Sequence, residues 1–267
     1  MTAPTVLFRR TPVFDAASQG GYTVALAAGD GEVRAAQRLR YEVFSAEFGA
    51  RLPGAQNGLD SDRFDSHCDH LLVTENATGA VVGTYRLLPP HGARAAEGRY
   101  ADAEFDLAPH APLHNDLVEV GRSCVHPDHR DGAVIALMWA GIARYLTGSG
   151  HNWLAGCCSV PLGDGGAVAA EVLRRTSAGR WAAPVEHRLR PHRPWLPPVP
   201  DLAGVRAGFT DPPPLPALLR GYLRLGARVC GEPAHDPEFD AADFYVLLSL
   251  RDTNPRYLRH FLGLAPR

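Results

Sequence analysis

The chain has 267 residues, a formal net charge of -2 and no lysine, so arginine supplies all 27 of its basic residues. Without lysine the chain cannot form a lysine Schiff base, anchor pyridoxal phosphate or provide the lysine of a phosphate loop. The balanced charge, with no basic stripe interleaved with aromatic residues, argues against nucleic acid as a partner.

Cysteine usage and hydropathy indicate the compartment. The five cysteines form no C-x-x-C pair, which argues against a disulfide framework and a zinc ribbon. No apolar run approaches the length of a membrane span, and the start of the chain lacks the apolar block of a signal peptide. We therefore expect a cytoplasmic protein.

The predicted elements follow a mixed α/β order along the chain. Periodicity and turn residues predict a strand over 22–27, a helix over 31–48, a hairpin of strands 69–75 and 81–88, a strand from Leu117 that breaks at Pro127, a buried helix over 132–146, a strand over 153–160, a helix over 166–175, a helix over 215–226, a strand over 243–250 and a last helix over 254–262. This order suits a single domain over 1–267, with an N-terminal extension over 1–20 and a proline-rich surface loop over 191–216.

Charged residues lie where the apolar spacing predicts burial or a cleft. They are Arg40, Asp62, Asp65, Arg86, Glu119 and Arg122. A buried guanidinium or carboxylate needs a partner of opposite charge, so each residue taken alone is compatible with a structural ion pair. Two such residues in one strand, followed by a basic turn and a buried helix, indicate a donor-binding arrangement.

The motifs that contain these residues resemble two related enzyme families. Arg40–Phe44, Asp62–Asp65, Tyr85–Leu88 and Glu119–Arg122 resemble the ordered signature of acyl-homoserine lactone synthases, over residues 40–122. Cys68–Val73, Gly83–Leu88, Gly121–Pro127, Gly231–Ala234, Asn254–Tyr257 and His260–Leu262 resemble the ornithine-acyl carrier protein N-acyltransferases of ornithine-lipid synthesis, over about 34–262. The second resemblance is longer, and its C-terminal motifs distinguish it from the first.

The resemblance implies a fold and a reaction. The fold is the GCN5-related N-acyltransferase (GNAT) fold, an α/β structure with a mixed, mostly antiparallel central sheet flanked by helices. The reaction is transfer of a 3-hydroxyacyl group from acyl carrier protein to the α-amine of ornithine, which gives lyso-ornithine lipid. No cofactor is expected beyond the phosphopantetheine arm of the donor. A lactone synthase that uses S-adenosylmethionine and a non-catalytic protein that binds acyl carrier protein or lipid remain alternatives.

The chemistry of amine attack on a thioester assigns roles in the strand that begins at Leu117. Glu119 is the predicted proton acceptor, since a positioned base contributes on the order of 10² to 10⁴ in rate. Glu119 and Arg122 lie three apart, so a regular strand would place them on opposite faces. A bulge over Arg122–Val125 would leave backbone N–H groups of Ser123, Cys124 and Val125 free to bind the oxyanion.

Ornithine offers a carboxylate and a distal ammonium group to the remaining charged residues. Arg40, Arg86 or Arg122 is expected to bind the carboxylate. Asp62 or Asp65 is the candidate for the ammonium, although both also fit turn and cap positions. Phe44, one helical turn from Arg40, joins this set through the resemblance.

The donor side lacks the glycine-rich turn with which many relatives bind the pyrophosphate of coenzyme A. The turn over 129–134 has one glycine and an acidic residue, so it favours a carrier-protein donor with a single phosphate. Arg130, with Arg144, Arg174 or Arg175, is the candidate for that phosphate and for the acidic carrier surface. No metal site is expected, because the histidine clusters near His67 and His126 lack a fourth ligand. Trp195 and Leu196 are a candidate peripheral contact with the inner face of the membrane, or else part of a lid.

Overall fold

A computed structural model of the protein describes residues 16–48, 57–130, 132–197 and 213–253. The strands of its main sheet are β1 Ala17–Gln19, β2 Tyr22–Leu26, β3 Asp69–Glu75, β4 Val81–Leu88, β6 Leu117–Val125, β7 Trp153–Pro161, β9 Arg228–Val229, β10 Ala234–Asp236 and β11 Ala241–Ser249. They lie in the order β1-β2-β3-β4-β6-β7-β11-β10, with β9 also paired to β11. A separate pair joins β5 Phe105–Asp106 to β8 Arg190–Pro191. Within the described ranges all pairings are antiparallel except that of β6 with β7.

Helices cover both faces of the main sheet. They are α1 Asp30–Phe48, α2 Pro90–Ala95, α3 Ala133–Ser149, α4 Ala167–Thr176 and α5 Ala217–Leu225. The largest apolar cluster lies between α3, α4, α5 and one sheet face, where α3 is apolar on nearly all sides and ends at Gly150 in the left-handed conformation. The opposite face packs against α1 and against the segment over 100–113. We call this second surface the α1 face.

The parallel pair β6–β7 opens partway along its length. Its pairing runs from Leu117–Trp153 to Glu119–Ala155 and does not continue between residues 120–125 and 156–161. Gly156 directly follows the last paired residue of β7, and a Cβ atom there would come within 2.2 Å of the Val120 carbonyl oxygen. Only glycine permits this contact, so the sequence allows the strands to meet there before they diverge.

The predicted fold class is confirmed, and two local predictions need correction. Ala17–Gln19, within the predicted N-terminal extension, is an edge strand paired with β2. Trp195, a candidate membrane contact, is 8% exposed and packs in the largest apolar cluster, whereas Leu196 is 71% exposed. The predicted helix over 254–262 and much of the proline-rich loop lie outside the described residues. Among the helices described, none is both long and apolar enough for a membrane crossing.

Candidate active site

A β-bulge at Arg122 shapes the centre of the site. Gly121 pairs with Arg86 and Cys124 pairs with Thr84, so two residues of β6 oppose one residue of β4. Arg122 itself has a positive φ of 53°, a rare conformation for a non-glycine residue. The predicted bulge is confirmed.

The bulge overturns the expectation that Glu119 and Arg122 lie on opposite faces. The extra residue reverses the alternation of side chains along β6, so both side chains reach the α1 face. Both approach Tyr100 there: its backbone N–H donates to Glu119 at 2.8 Å, and its ring lies 5.4 Å from the Arg122 guanidinium carbon.

Arg40 lies at the centre of a buried ion-pair network between α1 and the loop that follows. Its Nε donates to Asp60 Oδ2 at 2.7 Å, and its Nη2 donates to Asp65 Oδ1 at 2.8 Å. Arg40 is fully buried, and neither Arg40 nor Asp65 lines the cavity described below. This geometry gives the two residues a positioning role and does not bring them to the predicted contact with substrate.

Asp62 and Arg86 form a second pair beside the first. Arg86 Nη1 donates to Asp62 Oδ1 at 2.7 Å, and the Phe64 backbone N–H donates to the same oxygen. Burial alone would raise the pKa of Asp62, but Arg86 and that N–H group lower it below its usual range. Arg86 lines the cavity, and Asp62 supports it from behind.

Arg122 is surrounded by aromatic rings and is not closely paired. Its guanidinium carbon lies 5.9 Å from the Phe44 ring, 5.4 Å from Tyr100 and 5.3 Å from Phe239. Its ion-pair distances are long: Nη1 lies 3.7 Å from Asp60 Oδ1, and Nη2 lies 4.0 Å from Asp62 Oδ2. Its Nε is buried and donates to no group among the described residues. Arg122 is therefore the arginine best placed for a substrate carboxylate.

Glu119 lies at the base of the opening between β6 and β7. Its two carboxylate oxygens accept the backbone N–H groups of Tyr100 and Ala101 at 2.8 and 2.9 Å. Burial raises its pKa, although Arg99 and these two donors act in the opposite direction. Glu119 thus fixes the segment over 100–103 and also lines the cavity. Its role as proton acceptor stays a prediction.

An acidic cluster on the α1 face was missed by the sequence prediction. A carboxylate oxygen of Glu104, the Cys157 sulfur and a carboxylate oxygen of Asp243 all lie within 4.8 Å of one another. Burial and then the neighbouring Asp243 raise the pKa of Glu104, and burial and then Asp236 raise that of Asp243. A carboxylate in the apolar strand β11 was the one sequence signal that could have found this cluster.

The end of β6, which carries the residues predicted to bind the acyl donor, forms one side of the opening. Ser123 contacts the Tyr85 hydroxyl, which also hydrogen bonds to the hydroxyl of Tyr222. Burial raises the pKa of Cys124 to about 12, so its thiol stays protonated and is unsuited to an acyl-cysteine intermediate. Val125 is buried beside it.

Arg130 is engaged by the protein at the edge of the site. It forms an ion pair with Glu47, and its Nη2 donates to the Val125 carbonyl oxygen at 3.0 Å. Arg174 and Arg175, proposed from the sequence as companions of Arg130, instead pair with Glu171 on their own helix at 2.7 and 2.6 Å.

One cavity of about 930 Å³ joins these groups. On the α1 face it is lined by Phe44, Arg86, Tyr100, Glu119, Arg122, Cys157, Phe239 and Asp243. It continues through the β6–β7 opening, past Ser123 and Val125, to an apolar arm between α3 and α5 lined by Ile135, Met138, Trp139, Ile142, Leu218, Gly221 and Leu225. A polar compartment and an apolar compartment therefore meet at the strand opening.

Comparisons with known proteins agree with this architecture. The model of the acetyltransferase (GNAT) domain matches residues 39–140. An N-acyl amino acid synthase from uncultured soil microbes, FeeM, superimposes with a TM-score of 0.51 at 13% identity, covering 87% of this chain and 94% of the other; at that identity the likeness concerns the fold.

Curated relatives match over nearly the whole chain. An L-ornithine N(alpha)-acyltransferase of Agrobacterium fabrum is 34% identical, over 93% of this chain and 87% of the relative. One of Rhodobacter capsulatus is 37% identical, over 91% of this chain and 95% of the relative. The chain belongs to the L-ornithine N(alpha)-acyltransferase family, with a GNAT-type acyltransferase fold.

Proposed function

We propose that the protein transfers a 3-hydroxy fatty acyl group from acyl carrier protein to the α-amine of L-ornithine, forming lyso-ornithine lipid. The observation that carries the proposal is the cavity through the β6–β7 opening. Its α1 side presents Arg86 and Arg122 with Glu119 and Asp243, which suits an amino acid that bears both signs of charge. Its other side is an apolar arm suited to a long acyl chain.

In this mechanism the α-amine attacks the thioester carbonyl directly. A C–N bond forms, the C–S bond breaks, the amine loses a proton and the departing thiol gains one. Glu119 takes the proton, directly or through water, because it lies at the base of the opening with a raised pKa. Backbone N–H groups of the Ser123–Val125 segment that do not pair with β4, on the part of β6 that has left β7, stabilise the oxyanion.

The donor in this proposal is acyl carrier protein, with phosphopantetheine as its only prosthetic group. Three arginines line the cavity mouth: Arg130, Arg220 and Arg224. Arg220 and Arg224 are exposed one turn apart on α5, where they can meet an acidic carrier surface. They replace Arg174 and Arg175 in the docking surface that the sequence suggested.

Because its product is a lipid, we propose that the enzyme acts at the inner face of the membrane. Ile135 and Leu218, which are 40% and 36% exposed, both line the cavity. An apolar rim of this kind suits transfer of the product to a lipid surface by peripheral contact.

The test is to incubate the purified protein with 3-hydroxyacyl carrier protein and each amino acid, and to identify the products by mass. We expect an N-acyl adduct of ornithine. Parallel reactions with the same acyl group on coenzyme A should be slower, and reactions with S-adenosylmethionine should give no lactone. Absence of the ornithine adduct would refute the proposal.

A further inference from the structure

The α1 side of the cavity contains two charged groups of opposite sign, each with one buried polar atom that has no partner among the described residues. Arg122 Nε has no acceptor among the described residues, and Asp243 Oδ1 has no donor there. Asp243 is 3% exposed and lines the cavity. Buried polar atoms left without partners are costly, so such atoms facing a cavity indicate where a ligand binds.

Resting on the proposed function, we propose that Asp243, supported by Glu104, binds the distal ammonium of the amine substrate while Arg122 binds its carboxylate. Asp243 is then a specificity-determining residue that selects an amino acid with a second, distal amine. Glu104 does not line the cavity and acts through Asp243 as a positioning residue.

The arrangement of the cluster suits an ammonium group. Asp243 lies opposite Ser159 in the β7–β11 pair, and Cys157 Sγ donates to Glu104 Oε2 at 3.7 Å. An ammonium has three donors, and Asp243 Oδ1 offers a buried acceptor at the cavity wall. Asp236 also lines the cavity near this cluster, so the local charge is in acidic excess and attracts a cation.

The aspartates that the sequence favoured are less suitable for this role. Asp65 accepts two hydrogen bonds from Arg40, at 2.8 and 3.1 Å, and Asp62 accepts one from Arg86. Neither lines the cavity. Asp62 Oδ2 lacks a hydrogen-bond partner among the described residues too, but the charges of both aspartates are balanced by arginines in direct contact. The Glu104–Asp243 pair has no such arginine among the described ion pairs.

The experiment compares ornithine with norvaline, which has the same carbon chain but no distal amine. Steady-state rates with 3-hydroxyacyl carrier protein are measured for the wild type, Asp243→Asn and Glu104→Gln. We expect Asp243→Asn to lower kcat/KM for ornithine about 10- to 100-fold and to change that for norvaline by less than about threefold. Glu104→Gln should also lower kcat/KM for ornithine relative to that for norvaline, by a smaller factor.

Asp240→Asn is the matched control. Asp240 is exposed, one residue before β11, with a positive φ that asparagine tolerates well, so the variant removes the same charge without entering the cavity. Asp240→Asn should leave kcat/KM unchanged for both ornithine and norvaline. Retained norvaline turnover in Asp243→Asn also shows that the variant is folded.

A second readout covers the case in which the wild type turns norvaline over too slowly to measure. Calorimetry of ornithine and norvaline binding should show tighter binding of ornithine to the wild type, and Asp243→Asn should remove that difference. Equal affinities in the wild type would overturn the proposal.

Other outcomes also contradict it. Equal losses for both amino acids in Asp243→Asn would make the residue part of the proton-transfer machinery. A stoichiometric metal ion in the purified protein, lost in Asp243→Asn, would make the cluster a metal site. Failure of the proposed function itself is distinguishable, since the wild type would then give no ornithine adduct at all.

Discussion

Two groups of charged residues lie side by side on the α1 face, and they differ in whether close ion pairs hold them behind the cavity wall or they face the cavity. Beneath α1, Arg40 is bound to Asp60 and Asp65, and every contact lies behind the cavity wall. On the wall itself, Arg122 and Asp243 face the cavity, and each has a buried atom with no partner among the described residues. Arg40 Nη1 and Asp62 Oδ2 lack hydrogen-bond partners there as well, but neither residue lines the cavity. Both groups contain residues that the sequence marks as unusual.

The difference separates positioning from recognition. An ion pair that lies behind the cavity wall is out of reach of a ligand, and removal of one partner leaves an uncompensated buried charge. A buried charged group on a cavity wall that lacks hydrogen-bond partners lowers folding stability until a ligand supplies the missing hydrogen bonds. Substitutions in the first group should therefore reduce folding stability, and substitutions in the second should reduce catalysis with little effect on folding.

Glu119 gives the largest expected effect, because it is saturated by two N–H groups and also lines the cavity. If it is the proton acceptor, Glu119→Gln should lower kcat by about 10²- to 10⁴-fold with little change in KM. The variant should also lose about 1 to 3 kcal/mol of unfolding free energy, because a glutamine has only one oxygen for the two donors. Rates corrected for the folded fraction by urea unfolding separate the two effects. Unchanged kcat in the folded fraction would remove Glu119 from the mechanism.

Arg40→Ala tests the ion-pair network beneath α1. Asp60 and Asp65 would lose their arginine while remaining buried, so the free energy of unfolding should fall by about 3 to 5 kcal/mol. Arg38→Ala, at an exposed position of the same helix, should change it by less than about 0.5 kcal/mol. Urea denaturation of both variants measures the difference. A stable Arg40→Ala protein with weakened ornithine binding would instead place Arg40 in the recognition group.

Arg122→Gly tests the cavity wall, where we expect catalysis to fall while folding stability is retained. Glycine accepts the positive φ of this position without strain, which offsets the lost ring contacts, so stability should change by less than about 1 kcal/mol. The substrate carboxylate would lose its charged donor, and kcat/KM for ornithine should fall about 10- to 100-fold. Kinetics and urea unfolding of the same preparation give the comparison. Loss of stability with unaltered kinetics would assign Arg122 to the structural network.

The extent of successful sequence prediction depends on how local each signal is. The strands over 69–75 and 81–88 were predicted with the observed bounds, since their apolar runs and the turn between them are short-range features. Six candidate charged residues were also found by their position within apolar spacing. The ion pairs that these residues form were not predicted, because the partners of Arg40 lie 20 and 25 residues away along the chain.

Two features lay beyond local periodicity. Strand alternation placed Glu119 and Arg122 on opposite faces, and only the pairing of β6 with β4 reveals the extra residue that brings them together. Glu104 was missed because it lies in an irregular segment with no period to interpret. Its proximity to Asp243 arises from packing of that segment on β11, which no short window of sequence contains.

The smallest expected effect is a pH dependence of stability that arises from the cluster on the cavity wall. Burial raises the pKa of Asp243 to about 6 and, with Asp243 nearby, that of Glu104 to about 9, whereas unfolded carboxyl groups titrate near pH 4. The folded protein therefore binds more protons than the unfolded chain across this window. Its free energy of unfolding should fall as pH rises from about 5 to 9, by about 1 kcal/mol or more from this pair.

Glu104→Gln provides the control for that slope, because it removes one of the two groups and the repulsion between them. Urea unfolding at a series of pH values should give a flatter profile for this variant than for the wild type. Saturating ornithine should flatten the wild-type profile in the same way, since a bound ammonium stabilises the ionised pair. A wild-type slope that neither glutamine nor ornithine alters would show that the pair is not the unsatisfied charge that distinguishes the cavity wall from the network beneath α1.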